Sequence, residues 1–253
     1  MCTVSFISVK GKTIITSNRD ENVQRGKASA PSFEILNNKK IIFPKDSKAG
    51  GTWFAAADNG VVAVLLNGAF VKHTPAPPYR KSRGLILLEI IGSDNPFSFF
   101  REMNLLDIEP FTLVLYQHTV SCGQDTLHEL RWDGNNRHEL ALDNSGSYIW
   151  SSATLYTAEV IQHRKNLFDR FVDGTETITA DLIYQFHSNN HQDDENGFVI
   201  NRQTGLKTFS ITQAVLPHAV PGGQDNINFL HNDLLQHQKF EESMPISNAL
   251  INL

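Results

Sequence analysis

The sequence is poor in cysteine, has no excess of basic charge and contains no long apolar run. Its 253 residues include only two cysteines, Cys2 and Cys122, which does not indicate a disulfide-stabilised secreted scaffold. The formal net charge of -5 implies no basic face, which argues against nucleic acid as a partner. Apolar runs such as GLILLEIIG are too short to span a bilayer.

The beginning of the chain also lacks a basic segment followed by an apolar core and a small-residue cleavage site, the pattern of a secretory signal. We therefore expect a cytoplasmic protein. The length fits one substantial core, and no internal repeat or low-complexity tract interrupts it. A single domain over residues 1–253 is the expectation.

Hydrophobic patterning predicts strands, helices, strands, helices and strands in that order. The alternation in TVSFISV and TIITS around a Gly-Lys turn predicts an antiparallel hairpin over residues 3–17. Ser82, Asn95 and Thr179 are candidate N-caps of three helices, and LYTAEVIQHRKNLFDRFVDG predicts a further, longer helix. Strands are predicted at KKIIFP, TWFAAA, VVAVLLN, FTLVLYQ, HELRWD, RHELAL, SYIWSS, GFVIN, LKTFSITQAVL and NINFLHNDL. This order predicts an α+β fold in which antiparallel sheets are layered against a helical pair on each side.

Cys2 directly follows the initiator methionine. Methionine aminopeptidases remove Met1 when the second side chain is small, and removal would leave Cys2 with both a thiol and a free α-amino group. The pKa of an α-amino group is about 7.7–8.0, so this amine can accept the thiol proton near neutral pH. Nucleophile and base would then belong to one residue.

Polar side chains end the second strand of the first hairpin, as Asn18-Arg19-Asp20-Glu21. A tight turn brings this end beside the chain terminus, where the Arg19 guanidinium would favour a thiolate and the Asp20 carboxylate would orient the amine. Taken alone, a cysteine at position 2 is also typical of a frayed chain end, and a polar run such as this one is also typical of a surface turn. Their juxtaposition in one hairpin favours a site.

Together these motifs resemble the NRDE family, which includes the transport and Golgi organisation 2 proteins. The resemblance consists of the Met-Cys start, the Asn-Arg-Asp-Glu run, GGTW at 50–53, GVVAVLLN at 60–67 and Ser-Arg-Gly at 82–84. It extends from the first residue to about Thr154.

The NRDE family is similar in turn to the penicillin V acylase and bile salt hydrolase group of N-terminal nucleophile (Ntn) hydrolases. This resemblance implies a four-layer αββα sandwich of two antiparallel sheets and attack by Cys2 on a carbon–nitrogen amide bond. It implies that Arg19 lies against the sulfur and that the side-chain amide of Asn67 stabilises the oxyanion.

Three positions depart from the acylase pattern. The acylase carboxylate follows the arginine by three positions, where this chain has Asn22, so Asp20 would take its role. Ser152 stands in the place of a second asparagine, and Lys207 replaces a late arginine and lacks its planar fork. The resemblance therefore preserves the nucleophile's side of the site better than the substrate's side.

Other candidate sites are weaker. His187 and His191 are spaced for a shared helix face, but their polar neighbours favour a solvated helix end, and no metal is predicted. Trp53 is expected in the core rather than in a ligand wall. Tyr79, Arg80, Lys81 and Arg83 form a basic loop that either receives an anionic group or, as the favoured alternative, is simply exposed. Cys122 is expected to be structural or incidental.

The leading hypothesis is an Ntn-type cysteine hydrolase that acts on a linear amide of a small molecule and needs no cofactor. The alternative is a non-enzymatic protein of the same fold that binds or traffics a small hydrophobic molecule, haem included. A third hypothesis is an interaction module with a relict pocket.

Overall fold

The computed structural model describes residues 3–9, 11–118, 125–218 and 225–247. The strands are β1 (Thr3–Val9), β2 (Lys12–Asn22), β3 (Ser29–Leu36), β4 (Lys39–Lys45), β5 (Phe54–Ala57), β6 (Val61–Asn67), β7 (Phe111–Gln117), β8 (Thr126–Trp132), β9 (Arg137–Leu142), β10 (Ser147–Ser151), β11 (Leu206–Pro217), β12 (Asn226–Asp233) and β13 (Gln238–Pro245). The helices are α1 (Arg83–Gly92), α2 (Pro96–Glu102), α3 (Ala158–Gly174) and α4 (Ala180–His187), with a 3-10 turn at Val23–Arg25.

Two antiparallel sheets contain these strands. The six-stranded sheet has the order β10-β1-β2-β11-β12-β13, and the seven-stranded sheet has the order β3-β4-β5-β6-β7-β8-β9. Helix α1 packs on β5 and β6, whereas α3 packs on β10 and α4 on β2 and β11. The result is a helix–sheet–sheet–helix stack, which confirms the predicted four-layer α+β fold.

The first hairpin is built as its alternation predicts, although its second strand does not end at Ser17 but continues to Asn22. Thr3, the first described residue, pairs with Asn18 across β1 and β2. Val4 and Phe6 belong to the core between the two sheets, whereas Ile7 and Ile14 pack against α3 and α4. Because successive strand residues point to opposite faces, both faces of this hairpin are buried.

Side-chain caps begin the helices where the sequence predicts them. Ser82 accepts a hydrogen bond from the backbone N–H of Leu85, and Asn95 and Thr179 cap α2 and α4 in the same way. Each cap satisfies a backbone donor that the first turn leaves without a partner. None of the described helices has the length and apolar character needed to cross a membrane.

The strand predicted at GFVIN is wrong. In this segment only Asn201 forms a bridge, to Lys207, while Phe198 and Ile200 are buried in a loop. Phe198 packs against Phe186 of α4, so its burial reflects packing beneath that helix rather than a strand ladder. The predictions also omitted β3 and β13, each of which lies at one of the two edges of its sheet. Their exposed, polar-rich sequences carry little of the apolar alternation that marks a buried strand.

Candidate functional site

A cavity of about 370 Å³ lies at one end of the sandwich, between the sheets. Its wall includes Arg19, Glu21 and Arg25 from around β2, Asp46 after β4, Trp53, Asn67 at the end of β6, and Tyr79, Arg83 and Glu109. We call it the polar cavity. Two of the predicted site residues, Arg19 and Asn67, therefore meet in one wall although they belong to different sheets.

The GGTW and Ser-Arg-Gly motifs meet at this wall through their glycines. A Cβ added to Gly51 would lie 2.4 Å from the backbone carbon of Gly84, a separation that no side chain tolerates. The backbone N–H of Thr52 also donates to the carbonyl of Gly84 over 3.3 Å. The close approach of these backbones brings Trp53 and Arg83 to the same cavity.

Arg19 is the central cation of the polar cavity and is only 3% exposed. Its Nη2 donates to Asp46 Oδ2 over 2.8 Å, and its guanidinium lies 4.4 Å from the centroid of the Trp53 ring. Burial lowers the pKa of Arg19 from its ordinary value, against the raising effect of Glu21 and Asp46. The guanidinium nevertheless keeps its charge, because arginine stays protonated in proteins.

Asp46 holds this guanidinium in place and was missed by sequence reasoning. Its Oδ1 accepts from the backbone N–H groups of Lys48 and Ala49 over 3.1 and 2.8 Å, and its Oδ2 accepts from Arg19 and Arg25. Burial raises the pKa of Asp46, but the Ala49 hydrogen bond and the two guanidinium groups together hold it below the usual value. The carboxylate is thus ionised at neutral pH. An aspartate in a loop after a strand carries no distinguishing signal.

Asp20 lies on the other face of the six-stranded sheet from Arg19, because adjacent strand residues alternate. Its carboxylate accepts from the Tyr156 hydroxyl over 2.8 Å and from Thr208 Oγ1 over 2.6 Å. The side chain is 1% exposed. The structure therefore separates the two residues that the sequence placed at one site.

A buried arginine connects Asp20 to the start of β1. Arg164, on α3, has no exposed surface; it donates to the Tyr156 hydroxyl over 2.8 Å and to Thr3 Oγ1. It also donates to the backbone carbonyls of Asn196, over 2.8 Å, and Gly197. We call Thr3, Asp20, Tyr156, Arg164 and Thr208 the buried polar network. Sequence reasoning missed Arg164 because an arginine in an amphipathic helix is ordinarily a surface residue.

Ser152 lies next to Asn67 at the end of β6. The Ser152 hydroxyl donates to the backbone carbonyl of Asn67 over 2.8 Å and is 2.9 Å from Thr154 Oγ1. Because the hydroxyl donates its proton to that carbonyl, it fixes the end of β6. Asn67, and not Ser152, is among the residues that line the polar cavity.

Lys207 stands apart from this geometry. Lys207 pairs with Glu21 between β11 and β2, but it is not among the described residues that line the polar cavity. Cys2 and Cys122 lie outside the described residues.

The histidine at the end of α4 is not solvated, so that expectation is wrong. His187 is fully buried; its Nε2 lies 2.7 Å from Ser5 Oγ, and its Nδ1 hydrogen-bonds Asn18. Burial lowers the pKa of His187 to about 3. Across residues 3–9, 11–118, 125–218 and 225–247, no three His, Cys, Asp or Glu side chains are grouped to hold a metal ion.

The basic loop at residues 79–83 was expected to be exposed, which is true of Arg80, but other residues of the loop are part of the cavity wall. Tyr79, Lys81 and Arg83 line the polar cavity. Arg83 lies 3.0 Å from Glu109 and donates to the carbonyl of Pro110. Trp53 is in the core, as predicted, and also lines the cavity.

Solved structures of similar fold are hydrolases. Two variants of the conjugated bile acid hydrolase from Clostridium perfringens each align with a TM-score of 0.51 at 9% identity, covering 96% and 95% of this chain and 92% of theirs. The N-acylethanolamine-hydrolyzing acid amidase ortholog of Caenorhabditis elegans aligns over 87% of this chain and 94% of its own, with a TM-score of 0.48 and 11% identity. At these identities the bile acid hydrolase likeness shows the fold alone, which is that of the Ntn hydrolases.

No curated protein sequence matches the chain. The family model described as Transport and Golgi organisation 2 matches residues 1–220, well over half of the 253 residues. This chain belongs to the Transport and Golgi organisation 2 family.

Proposed function

We propose that the protein is an N-terminal cysteine hydrolase that cleaves a linear carbon–nitrogen amide bond of a small molecule, with Cys2 as nucleophile. The observation that carries this proposal is the pairing of Thr3 with Asn18. Cys2 is bonded to Thr3, and Asn18 to Arg19, whose buried guanidinium lines the polar cavity. Covalent geometry limits each of these steps to about 3.8 Å between Cα atoms. The fold and the family are those in which such chemistry is expected.

The chemistry begins when the α-amine of Cys2 accepts the thiol proton. The thiolate, favoured by the nearby positive charge of Arg19, adds to the amide carbonyl, and the side-chain amide of Asn67 donates to the resulting oxyanion. Collapse breaks the carbon–nitrogen bond, and the departing amine takes the proton. Water then adds to the thioester, which releases the acid and restores the thiol.

The buried polar network would position the nucleophile rather than react. Arg164 donates to Thr3 Oγ1, and Tyr156 links Arg164 to Asp20. These contacts hold the residue that follows Cys2 against α3. In this proposal Asp20 acts through Tyr156 and Arg164 on the start of β1, and Asp46 orients Arg19 from the cavity side.

The walls of the polar cavity favour this hypothesis over the binding of a hydrophobic ligand such as haem. Charged side chains of both signs line it, among them Arg19, Asp46, Arg83 and Glu109. Desolvating such groups against an apolar ligand is unfavourable, whereas a small polar substrate can satisfy them.

The test is labelling by an activated acyl ester, p-nitrophenyl acetate, followed by peptide mapping, with intact mass to establish whether Met1 is removed. We expect a protein that lacks Met1 and carries the acetyl group on Cys2. The matched control is Cys122→Ala, which should label like wild type, while Cys2→Ala should not label. A retained Met1, or equal labelling of Cys2→Ala and wild type, would contradict the proposal.

A further inference from the structure

We propose that the polar cavity contains a binding site for a carboxylate or similarly sized anionic group, formed by Arg19 Nη1 and Trp53 Nε1. That the substrate is an amide carrying such a group rests on the proposed function. That the cavity binds such a group rests only on the two donors.

Both donors are buried and lack a hydrogen-bond partner among the described residues. Arg19 and Trp53 are each 3% exposed, and both line the polar cavity. Buried N–H groups in native proteins nearly always have an acceptor, since an unmade hydrogen bond is costly. The guanidinium carbon of Arg19 lies 4.4 Å from the centroid of the Trp53 ring, so the two side chains that carry these donors contact each other in the same wall of the cavity.

The acceptor that fits best is anionic. Asp46 reaches Arg19 through Nη2, and the approach of Glu21, at 3.7 Å, is also to Nη2. Nη1 is therefore a charged donor that neither neighbouring carboxylate satisfies. Hydrogen bonds between ionised partners are roughly twice as strong as neutral ones, and guanidinium matches the planar geometry of a carboxylate.

The indole N–H groups of the three tryptophans allow anion binding to be measured directly, because among the described residues only the Trp53 indole lacks a hydrogen-bond partner. Trp132 Nε1 donates to the carbonyl of Ile108 over 2.9 Å, and Trp150 Nε1 donates to Glu129 over 2.6 Å. Nuclear magnetic resonance of the three indole N–H groups during a titration with sodium acetate therefore contains two internal controls. Trp53→Phe assigns the third signal, since it keeps an aromatic ring and removes the N–H.

We expect acetate to move the Trp53 indole proton downfield with saturation, while the Trp132 and Trp150 signals stay within the shifts caused by matched sodium chloride. Acetamide, of the same size and uncharged, should bind at least tenfold more weakly. Arg19→Met should weaken acetate binding at least tenfold, whereas Arg101→Met, at a site outside the polar cavity, should leave it unchanged.

Three results overturn the inference: no acetate-dependent shift at Trp53 in the wild-type protein, equal shifts of all three indoles, or equal binding of acetamide and acetate. The titration involves no turnover. Acetate binding in a protein whose Cys2 fails to label would therefore refute the hydrolase proposal and leave the anion site standing. Labelling of Cys2 in a protein that does not bind acetate would refute the anion site and leave the hydrolase proposal standing.

Discussion

Replacing Arg164 by methionine removes the cation of the buried polar network and keeps an unbranched apolar side chain that corresponds to the stem of the arginine. In the native protein this guanidinium donates to four acceptors, two from side chains and two from the backbone: Thr3 Oγ1, the Tyr156 hydroxyl, and the carbonyls of Asn196 and Gly197. Methionine occupies the space of the aliphatic stem but donates no hydrogen bond. The acceptors are then left without this donor in a region closed to water, since Arg164 has no exposed surface.

The magnitude follows from these contacts. A hydrogen bond from a charged group contributes about 1.5–3 kcal/mol, and a stranded buried acceptor costs about 1–3 kcal/mol. The loss is partly offset because the variant no longer buries a cation. We therefore expect Arg164→Met to lower the free energy of unfolding by about 3–5 kcal/mol. For a chain of this size that corresponds to a Tm lower by roughly 10 °C.

Urea and thermal denaturation followed by circular dichroism measure this change. The matched control is Arg170→Met on the same helix, where the side chain is exposed and bonds only the carbonyl of Asn166, four residues away, among the described contacts. It should change stability by less than about 0.5 kcal/mol. Arg164→Lys keeps the charge without the planar fork, and its free energy of unfolding should lie between those of Arg164→Met and Arg170→Met. If Arg164→Met and Arg170→Met lie within 1 kcal/mol of each other, the network does not stabilise the fold as described.

Three further predictions concern the backbone, pH and the cavity. Gly51→Ala should cost about 1–3 kcal/mol in urea denaturation because its Cβ would meet the backbone of α1, whereas Gly174→Ala, with open space around its Cβ, should cost nothing measurable. The pKa of His187 falls from 6.5 to about 3 on folding. The stability this provides is complete above pH 6.5 and is lost towards pH 3, because only the unfolded chain takes up the proton in this range. The free energy of unfolding should therefore fall by about 1.4 kcal/mol per pH unit as the pH is lowered. If His187→Gln shows the same pH dependence as the wild type, the prediction is refuted. Asn67→Ala should slow acetylation of Cys2 by about 10²–10³-fold, with Asn135→Ala in an exposed turn as the unaffected control.

Local signals in the sequence predicted much of the fold. The alternation of β1 and β2, the turn between β5 and β6, and the caps Ser82, Asn95 and Thr179 each depend on neighbours within a few residues, and the structure contains them as predicted. Strands β3 and β13 escaped prediction because their exposed, polar-rich sequences carry little apolar alternation, whereas β9 and β10, the other two edge strands, were predicted.

The candidate site depended more on long-range packing. The glycine motifs at residues 50–53 and 82–84 indicated the family. They did not indicate that the backbones of Gly51 and Gly84 are in contact and thereby bring Trp53 and Arg83 to one cavity. Asp46, the partner of Arg19, and Arg164, the partner of Thr3, had no local signature.

The sequence by itself determined the order of elements, the first hairpin and the family motifs, because these arise from interactions between residues close along the chain. Only the tertiary structure decided that β2 continues through Arg19 and Asp20 by pairing with β11, so that these two neighbours lie on opposite faces of one sheet. Strand geometry turns successive side chains in opposite directions, so Arg19 meets Asp46 and Trp53 between the sheets. Asp20 meets Tyr156 and Thr208 beneath the helices.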